Sequence, residues 1–374
     1  MKMKKITALA VLAAAAASLF GCSGPADSAS SSAKASSAAS SVKDGSAAEA
    51  NVSAASGKEK EDNDKRNNKK EEEKVLPEDV TQGGKYDNIV VNEGVERAVK
   101  ANSPQAAAVN GYYSFTYSDF GKVYSNEELE KCFDRLQDIC ANAGFSMSFS
   151  YRNIETGAYV GYNQYSRFMT CSTIKAPYIK SILQQGIDLD TVISRDYIWP
   201  GDTGTVVDAP FGTKYTAREL IEYSILESDN TAYYLLFNTF GYQSFNSLLY
   251  SLGANYSLGD SWIFTYCTSD DMMKCYEDIY KFGESSENGK WLVELMSDTD
   301  VNIQIGKALG AKYKVAQKYG SEFNEWVFND CAVVYADSPF VLCIFTQQYP
   351  ETEESCQVFR ELSLVFDDIN TLLA

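Results

Sequence analysis

The chain has 374 residues, with 33 Lys and Arg against 51 Asp and Glu, a net charge of −18, and no histidine. The absence of imidazole excludes a Ser-His-Asp triad, Cys-His catalysis, His-ligated zinc and histidine-held haem. The acidic balance argues against a nucleic-acid partner, because a phosphate-binding surface should be basic. At 45% apolar residues the chain can build a core, and its length allows one large domain or two smaller ones of about 100–200 residues each. The first 74 residues hold 12 basic and 10 acidic side chains, leaving 21 and 41 in the remainder. The folded part is therefore more acidic than the whole, and any functional lysine there works against an acidic background.

The N-terminus reads as an export signal. Lys2, Lys4 and Lys5 precede a mostly apolar run from Ile6 to Phe20, too short and Ala-rich for a membrane span. It ends in Leu19-Phe20-Gly21-Cys22, which resembles a bacterial lipobox with Cys22 as the lipidated residue. That implies an extracytoplasmic protein held to the cell membrane by a lipid anchor. Residues 23–85 follow as a linker, first Ser/Ala-rich and then, from Lys58 to Lys74, almost wholly charged or amide. Neither stretch can bury apolar area, so both are expected to stay disordered.

Residues 86–125 form an extension, with a short helix expected over Val91–Lys100 and a strand over Tyr112–Tyr117. Periodicity then predicts a helix over Asn126–Ala143 and a hairpin from Phe145–Arg152 and Ala158–Asn163, turning at Glu155-Thr156-Gly157. From about Ser172 to Lys307 the pattern is helical, with segments at Ser172–Gln184, Ala217–Leu226, Asn230–Phe240, Phe245–Leu252, Ser269–Phe282 and Gly289–Met296. Strands return at Lys312–Lys318, Val327–Tyr335 and Val341–Thr346, and a final helix spans Glu353–Leu373. Both ends of residues 126–374 thus feed one antiparallel sheet around an inserted helical lobe, an α+β sandwich. No repeated strand–helix–strand units and no Gly-rich phosphate loop support a doubly wound sheet. Eight cysteines follow Cys22 without metal-ligand spacing. Export permits disulfides, and centring the last hairpin on Asp337 sets Cys331 opposite Cys343 as a candidate bond.

Three motifs carry chemistry. Ser172-Thr173-Ile174-Lys175 opens a predicted helix, where residues i and i+3 share a face. Without histidine, the Lys175 amine is the base available to a Ser172 nucleophile, provided burial and a second cation lower its pKa. Ser228-Asp229-Asn230 lies between two helices. There Ser228 would relay a proton to a leaving nitrogen, Asn230 would hold substrate and Asp229 would fix the loop. Lys318-Tyr319-Gly320-Ser321 ends a predicted strand, with Lys318 directed into a cleft and Gly320 leaving room at the strand edge. Read singly, these are a helix cap with a solvated lysine, a capping turn and a strand-end turn. Two further Ser-x-x-Lys copies in the linker, Ser31–Lys34 and Ser40–Lys43, show how little the first motif means alone. Their order and their placement on these elements give the three their weight.

In these motifs residues 126–374 resemble the class A β-lactamase-like family of the serine penicillin-recognising superfamily, whose signatures are Ser-x-x-Lys, Ser-Asp-Asn and Lys-Thr-Gly. The segments Asn153–Gly157, Tyr215–Leu220, Thr268–Met272 and Phe328–Asp330 extend the likeness. The resemblance implies a β-lactamase/transpeptidase-like sandwich. It makes Ser172 the acylated nucleophile, Lys175 its base and Ser228 the relay. Asn230, Lys318, Tyr319, Gly320 and Ser321 would line the substrate site, with the oxyanion between the Ser172 and Ser321 N–H groups. The substrate would be a β-lactam or a peptidoglycan-like D-Ala-D-Ala amide, with no cofactor and no metal.

Two departures qualify this. Tyr319 stands where the family has a small hydroxyl residue that helps hold the substrate carboxylate. The stretch Leu252–Thr268 contains no glutamate, and its one acid is Asp260, whereas the family's deacylating glutamate lies on this loop. Glu222 and Glu227 precede the Ser228 turn and are the other carboxylates to consider as a base. The alternative is a tethered, non-catalytic lipoprotein that binds or senses wall fragments.

Overall fold

The computed structural model describes residues 95–100, 112–118, 120, 126–200, 202, 204–259 and 263–374. The expected export segment, Cys22, the linker and much of the extension lie outside the described residues.

A seven-stranded antiparallel sheet carries the fold, in the order β1-β2-β4-β3-β11-β10-β9. β1 (Val95–Lys100), β2 (Tyr112–Ser118), β3 (Ser146–Asn153) and β4 (Tyr159–Tyr162) come from the N-terminal side. β9 (Lys314–Glu322), β10 (Val327–Tyr335) and β11 (Phe340–Gln347) come from the C-terminal side. The two groups join where β11 pairs with β3, from Phe340 opposite Asn153 to Gln347 opposite Ser146. The α+β sandwich expected from the sequence is thus the fold observed.

The central strands are buried on both faces, which is why they read as near-continuous apolar runs. Successive residues of β11 alternate between two cores. Phe340, Leu342 and Ile344 join α1 (Glu127–Asn142) and the C-terminal helix α10 (Glu353–Leu373). Val341, Cys343 and Phe345 face the helical lobe instead. The lobe comprises α2 (Lys175–Gln184), α3 (Thr205–Asp208), α4 (Ala217–Leu226), α5 (Asn230–Phe240), α6 (Gln243–Ser251), α7 (Ser269–Ser285) and α8 (Glu287–Ser297). Short strands β5 (Phe168–Met169), β6 (Val192–Ser194), β7 (Lys214–Thr216) and β8 (Tyr266–Cys267) brace it in the pairs β5–β8 and β6–β7. A short α9 (Ile305–Leu309) leads into β9. Among the described residues no helix is long and apolar enough to cross a membrane.

Local signals set most boundaries. Asn126 caps α1, Thr268 caps α7, and Thr216 with Glu219 forms a capping box on α4. Three expectations are corrected. Val95–Lys100 is a strand, not part of a helix: Val95, Ala98 and Val99 have helical spacing, but β2 offers a ladder of six paired positions. β9 runs on to Glu322, so Lys318 sits mid-strand, because β10 pairs with β9 as far as Val327 opposite Glu322. Cys331 does lie opposite Cys343, but both thiols are free and fully buried, serving the lobe-side core as small apolar side chains.

Candidate active site

The chain passes from β5 into one turn of 3₁₀-helix, Cys171–Ile174, and then into α2. Cys171 holds φ at +46°, a left-handed conformation that costs a non-glycine residue on the order of 1–2 kcal/mol. That bend sets Ser172 at the head of the helix, where backbone N–H groups lack helical partners. The bend is fixed from outside. Thr170 N–H donates to Thr265 O at 2.8 Å, Asn329 Nδ2 to Met169 O at 2.8 Å, and Tyr276 OH to Thr173 O at 3.1 Å.

The Ser228 turn arrives from the far side of the cleft. Ser228 holds φ at +60°, and the next residue pins the turn. Asp229 accepts from Ala232 N–H at 2.7 Å as the cap of α5, and its other oxygen accepts from Val206 N–H at 2.9 Å. Burial raises the Asp229 pKa, and the two N–H donors pull it back. Glu227 is likewise a clamp, accepting from Thr205 N–H and Oγ1 at 3.0 and 2.9 Å. These ties give it a structural role at the start of α3.

The two lysines converge on Ser228. Lys175 Nζ donates to Ser228 O at 2.5 Å and to Asn230 Oδ1 at 2.6 Å, and lies 3.4 Å from Ser228 Oγ. Lys318 Nζ donates to Ser228 Oγ at 2.9 Å and to Tyr319 O at 3.1 Å. Both lysines are completely buried. Burial brings Lys175 down to about 7, against the upward pull of the Asp202 and Asp229 charges. Lys318 is lowered as well, by burial first and by the Lys175 charge second, while Asp330 pulls it up. A lysine that can be neutral near pH 7 is a usable general base. β9 closes the site. A Cβ at Gly320 would stand 2.6 Å from Ser172 N, so β9 and the Ser172 turn touch backbone to backbone there.

The structure thus brings Ser172, Lys175, Ser228, Asn230, Lys318 and Gly320 together. It differs from the sequence reading in one contact. The Lys175 amine is turned to Ser228 and Asn230, and among the described residues no hydrogen bond joins it to Ser172 Oγ. Catalytic hydrogen bonds are often long in ligand-free enzymes and tighten when substrate binds. Asn230 keeps its Nδ2 for a ligand, since its Oδ1 is taken by Lys175. The Tyr319 ring stands 4.6 Å from Lys318 Nζ, and Ser321 Oγ donates to Glu351 at 2.8 Å. The Tyr319 ring thus lies between Lys318 Nζ and the α1/α10-side core against which it packs, and a carboxylate holds Ser321.

Sequence reasoning missed Glu351, Asp202 and the positioning role of Asn329. Glu351 and Asp202 come from loops without a motif, and only their neighbours reveal them. Asp202 accepts from Thr231 N–H and Oγ1 at 2.7 and 2.9 Å, beside Asn230. Two ties hold the described part of the loop before α7. The Asn246 side chain grips both the Leu258 N–H and C=O, and Ile263 O accepts from Tyr233 OH at 3.0 Å. Asp260 lies outside the described residues.

Comparison with known proteins bears on the family and the fold. The model of a β-lactamase enzyme family matches residues 131–368. Among solved structures, an acyl-enzyme complex of a point mutant of PBP-A with penicillin G is 18% identical. It covers 65% of this chain and 96% of its own, with a TM-score of 0.57. A β-lactamase from Sphaerobacter thermophilus is 20% identical, covering 65% and 97%, with a TM-score of 0.57. A point mutant of a class A β-lactamase of the last common ancestor of Gram-negative bacteria is 21% identical, covering 64% and 98%, with a TM-score of 0.56. Comparison with curated protein sequences gives no significant match.

Proposed function

The chain belongs to the β-lactamase enzyme family, and on that premise we propose that it is a serine hydrolase or acyl-transfer enzyme that forms an acyl-enzyme on Ser172. The observation that carries this reading is the convergence of two buried lysines on Ser228, with Gly320 closed against the Ser172 backbone. Neutral Lys175 takes the Ser172 hydroxyl proton as Oγ attacks the substrate carbonyl carbon. The oxyanion that forms is held by the Ser172 and Ser321 N–H groups. The proton leaves Lys175 through Ser228 Oγ to the departing nitrogen, the C–N bond breaks, and Lys175 is neutral again. Lys318 orients Ser228 by donating to its Oγ and has a further N–H to offer the substrate.

The substrate class is a β-lactam or a D-Ala-D-Ala-like amide. Residues 252–268 supply no glutamate to activate water, so the acyl-enzyme is expected to be long-lived. We place the protein outside the cytoplasm. Residues 1–22 serve as signal peptide, Cys22 as lipid anchor, 23–85 as spacer and 126–374 as the catalytic domain.

A second reading, a non-catalytic receptor for wall fragments, is favoured by the Tyr319 ring against Lys318 Nζ and by Glu351 on Ser321 Oγ. An intact-mass time course with excess benzylpenicillin separates the two. A ligand-sized adduct on the parent and none on Ser172→Ala is the expected result, and its persistence for hours distinguishes a penicillin-binding enzyme from an efficient β-lactamase. No adduct and no drug consumption would overturn the acyl-enzyme reading for β-lactams.

A further inference from the structure

Past Gly320, β9 continues to Glu322 and turns through residues 323–326 into β10. This turn borders the nucleophile electrostatically: the Glu322 and Glu325 charges help raise the Cys171 thiol, next to Ser172, after burial has done most of it. At about 3.4 Å per residue, the turn begins roughly 10 Å beyond Gly320. It displays aromatic rings to solvent. Phe323 is 46% exposed, Trp326 56% and, from the loop after β11, Tyr349 50%. Tyr349 joins the other two edge-to-face, at 5.7 Å from Phe323 and 6.0 Å from Trp326. Grouped exposed aromatics on a soluble fold mark a binding surface.

The backbone holds these rings outward at a cost. Trp326 has φ of +52° and Glu351, two residues after Tyr349, has φ of +62°. Both are conformations that bulky L residues avoid, and such strain persists where the surroundings impose it. Beside the Trp326 indole lies a hollow of about 410 Å³ lined by Ser146, Asn324, Glu325 and Gln347. Its lining offers hydroxyl, amide and carboxylate groups and no cation. Glu351 then links this rim to the cleft through Ser321 Oγ.

We infer that Phe323, Trp326 and Tyr349 form a stacking platform for a sugar ring of the wall glycan, an outer subsite of the cleft proposed above. The inference deepens that proposal and rests on its wall-derived substrate. A pyranose has an apolar C–H face that lies on an indole, and hydroxyl and acetamide groups that Asn324, Gln347, Ser146 and Glu325 satisfy from the edge. The charge pattern selects this occupant. An anionic lipid surface is repelled by Glu322, Glu325 and Glu351 and finds no lysine or arginine in the hollow. An ammonium group would want rings arranged around it, whereas these rings touch one another.

The test is sedimentation of the full chain with purified peptidoglycan sacculi, for the parent, Trp326→Ala, Tyr349→Ala and the control Tyr250→Ala. Tyr250 is 88% exposed and outside the platform. Losing one stacking ring is expected to weaken retention about tenfold, the scale of an aromatic anchor. Tyr250→Ala should retain parent behaviour, and millimolar N-acetylglucosamine tetramer should displace the parent. Unchanged melting temperatures show that the variants fold. Where Trp326→Ala lowers the melting temperature, Trp326→Phe, which keeps a ring, should keep the retention. Equal retention of all variants overturns the platform. Displacement by choline but not by the tetramer, or retention on phosphatidylcholine vesicles in place of sacculi, overturns the sugar as its occupant. Acylation by benzylpenicillin, read on the same parent preparation, reports separately on Ser172.

Discussion

Replacing Lys175 by methionine should move activity and stability in opposite directions. The lysine is fully buried with a pKa brought down to about 7 from the ordinary 10.5, chiefly by burial. Below pH 7 the folded chain must hold an ammonium there. That costs on the order of 5 kcal/mol, at about 1.36 kcal/mol for each tenfold change in acidity constant. Methionine removes this cost, but leaves Ser228 O and Asn230 Oδ1 without their donor, a loss of about 1–3 kcal/mol. The variant should therefore be more stable by about 2–4 kcal/mol at pH 6. The dependence on pH follows from the sign of the shift. Between pH 7 and 10.5 the unfolded chain binds more protons at this residue than the folded one, so the parent gains stability as pH rises through that window. By pH 8.5 it has recovered about 2 kcal/mol of the cost. Thermal unfolding at the two pH values reads this directly. At roughly 2–4 °C per kcal/mol for a domain of this size, Lys175→Met should melt several degrees above the parent at pH 6 and lose about 4–8 °C of that advantage by pH 8.5. Acylation by benzylpenicillin goes the other way. The variant should be slower by about 10²–10⁴, the usual worth of a general base, and the parent's rate should rise with pH around a midpoint near 7. A variant that melts below the parent at both pH values would refute the buried-ammonium account. A variant acylated at the parent's rate would refute Lys175 as the base.

Three other substitutions test the cleft. Gly320→Ala puts a methyl 2.6 Å from Ser172 N and 2.9 Å from Cys171 Cβ, so it should displace the Ser172 turn. Acylation should fall by about 10²-fold, the penalty for a misplacement of about 1 Å, and an adduct formed at parent rate would show that the turn yields. Asp229→Ala removes the cap of α5 and the tie to Val206. It should cost about 2–4 kcal/mol, from a lost cap and a stranded buried N–H, seen as a lower denaturant midpoint at unchanged slope. Tyr319→Thr clears the ring from beside Lys318. It should speed acylation by penicillins, measured as second-order rate constants, and a slower reaction would mean that the phenol helps to bind substrate.

Much of this molecule was legible because its signals are local. Helices α4, α5 and α10 and strand β10 have the bounds that periodicity and caps assign them, since Thr216, Asp229 and Thr352 satisfy the first N–H groups of their own helices. The hairpin centred on Asp337 fixed its own register and set Cys331 opposite Cys343. The three motifs were likewise readable, because each needs only neighbours in sequence. What failed was decided by distant partners. The segment Val95–Lys100 became a strand on meeting β2, β9 lengthened on meeting β10, and the cysteine pair stayed reduced in the core.

The sequence by itself determined the fold class, the antiparallel sheet interrupted by a helical lobe, and the residue types available for acyl transfer without histidine. Only the tertiary structure decided what those residues can do. The depressed pKa of Lys175 arises from complete burial against groups 53 and 55 residues away. The contact of Gly320 with Ser172 joins chain segments that share no local signal. Glu351 reached Ser321 from a loop that no motif marks. Hydrogen-bonded turns and helix faces are written within a few residues, whereas desolvation and electrostatic coupling belong to whatever the folded chain brings alongside.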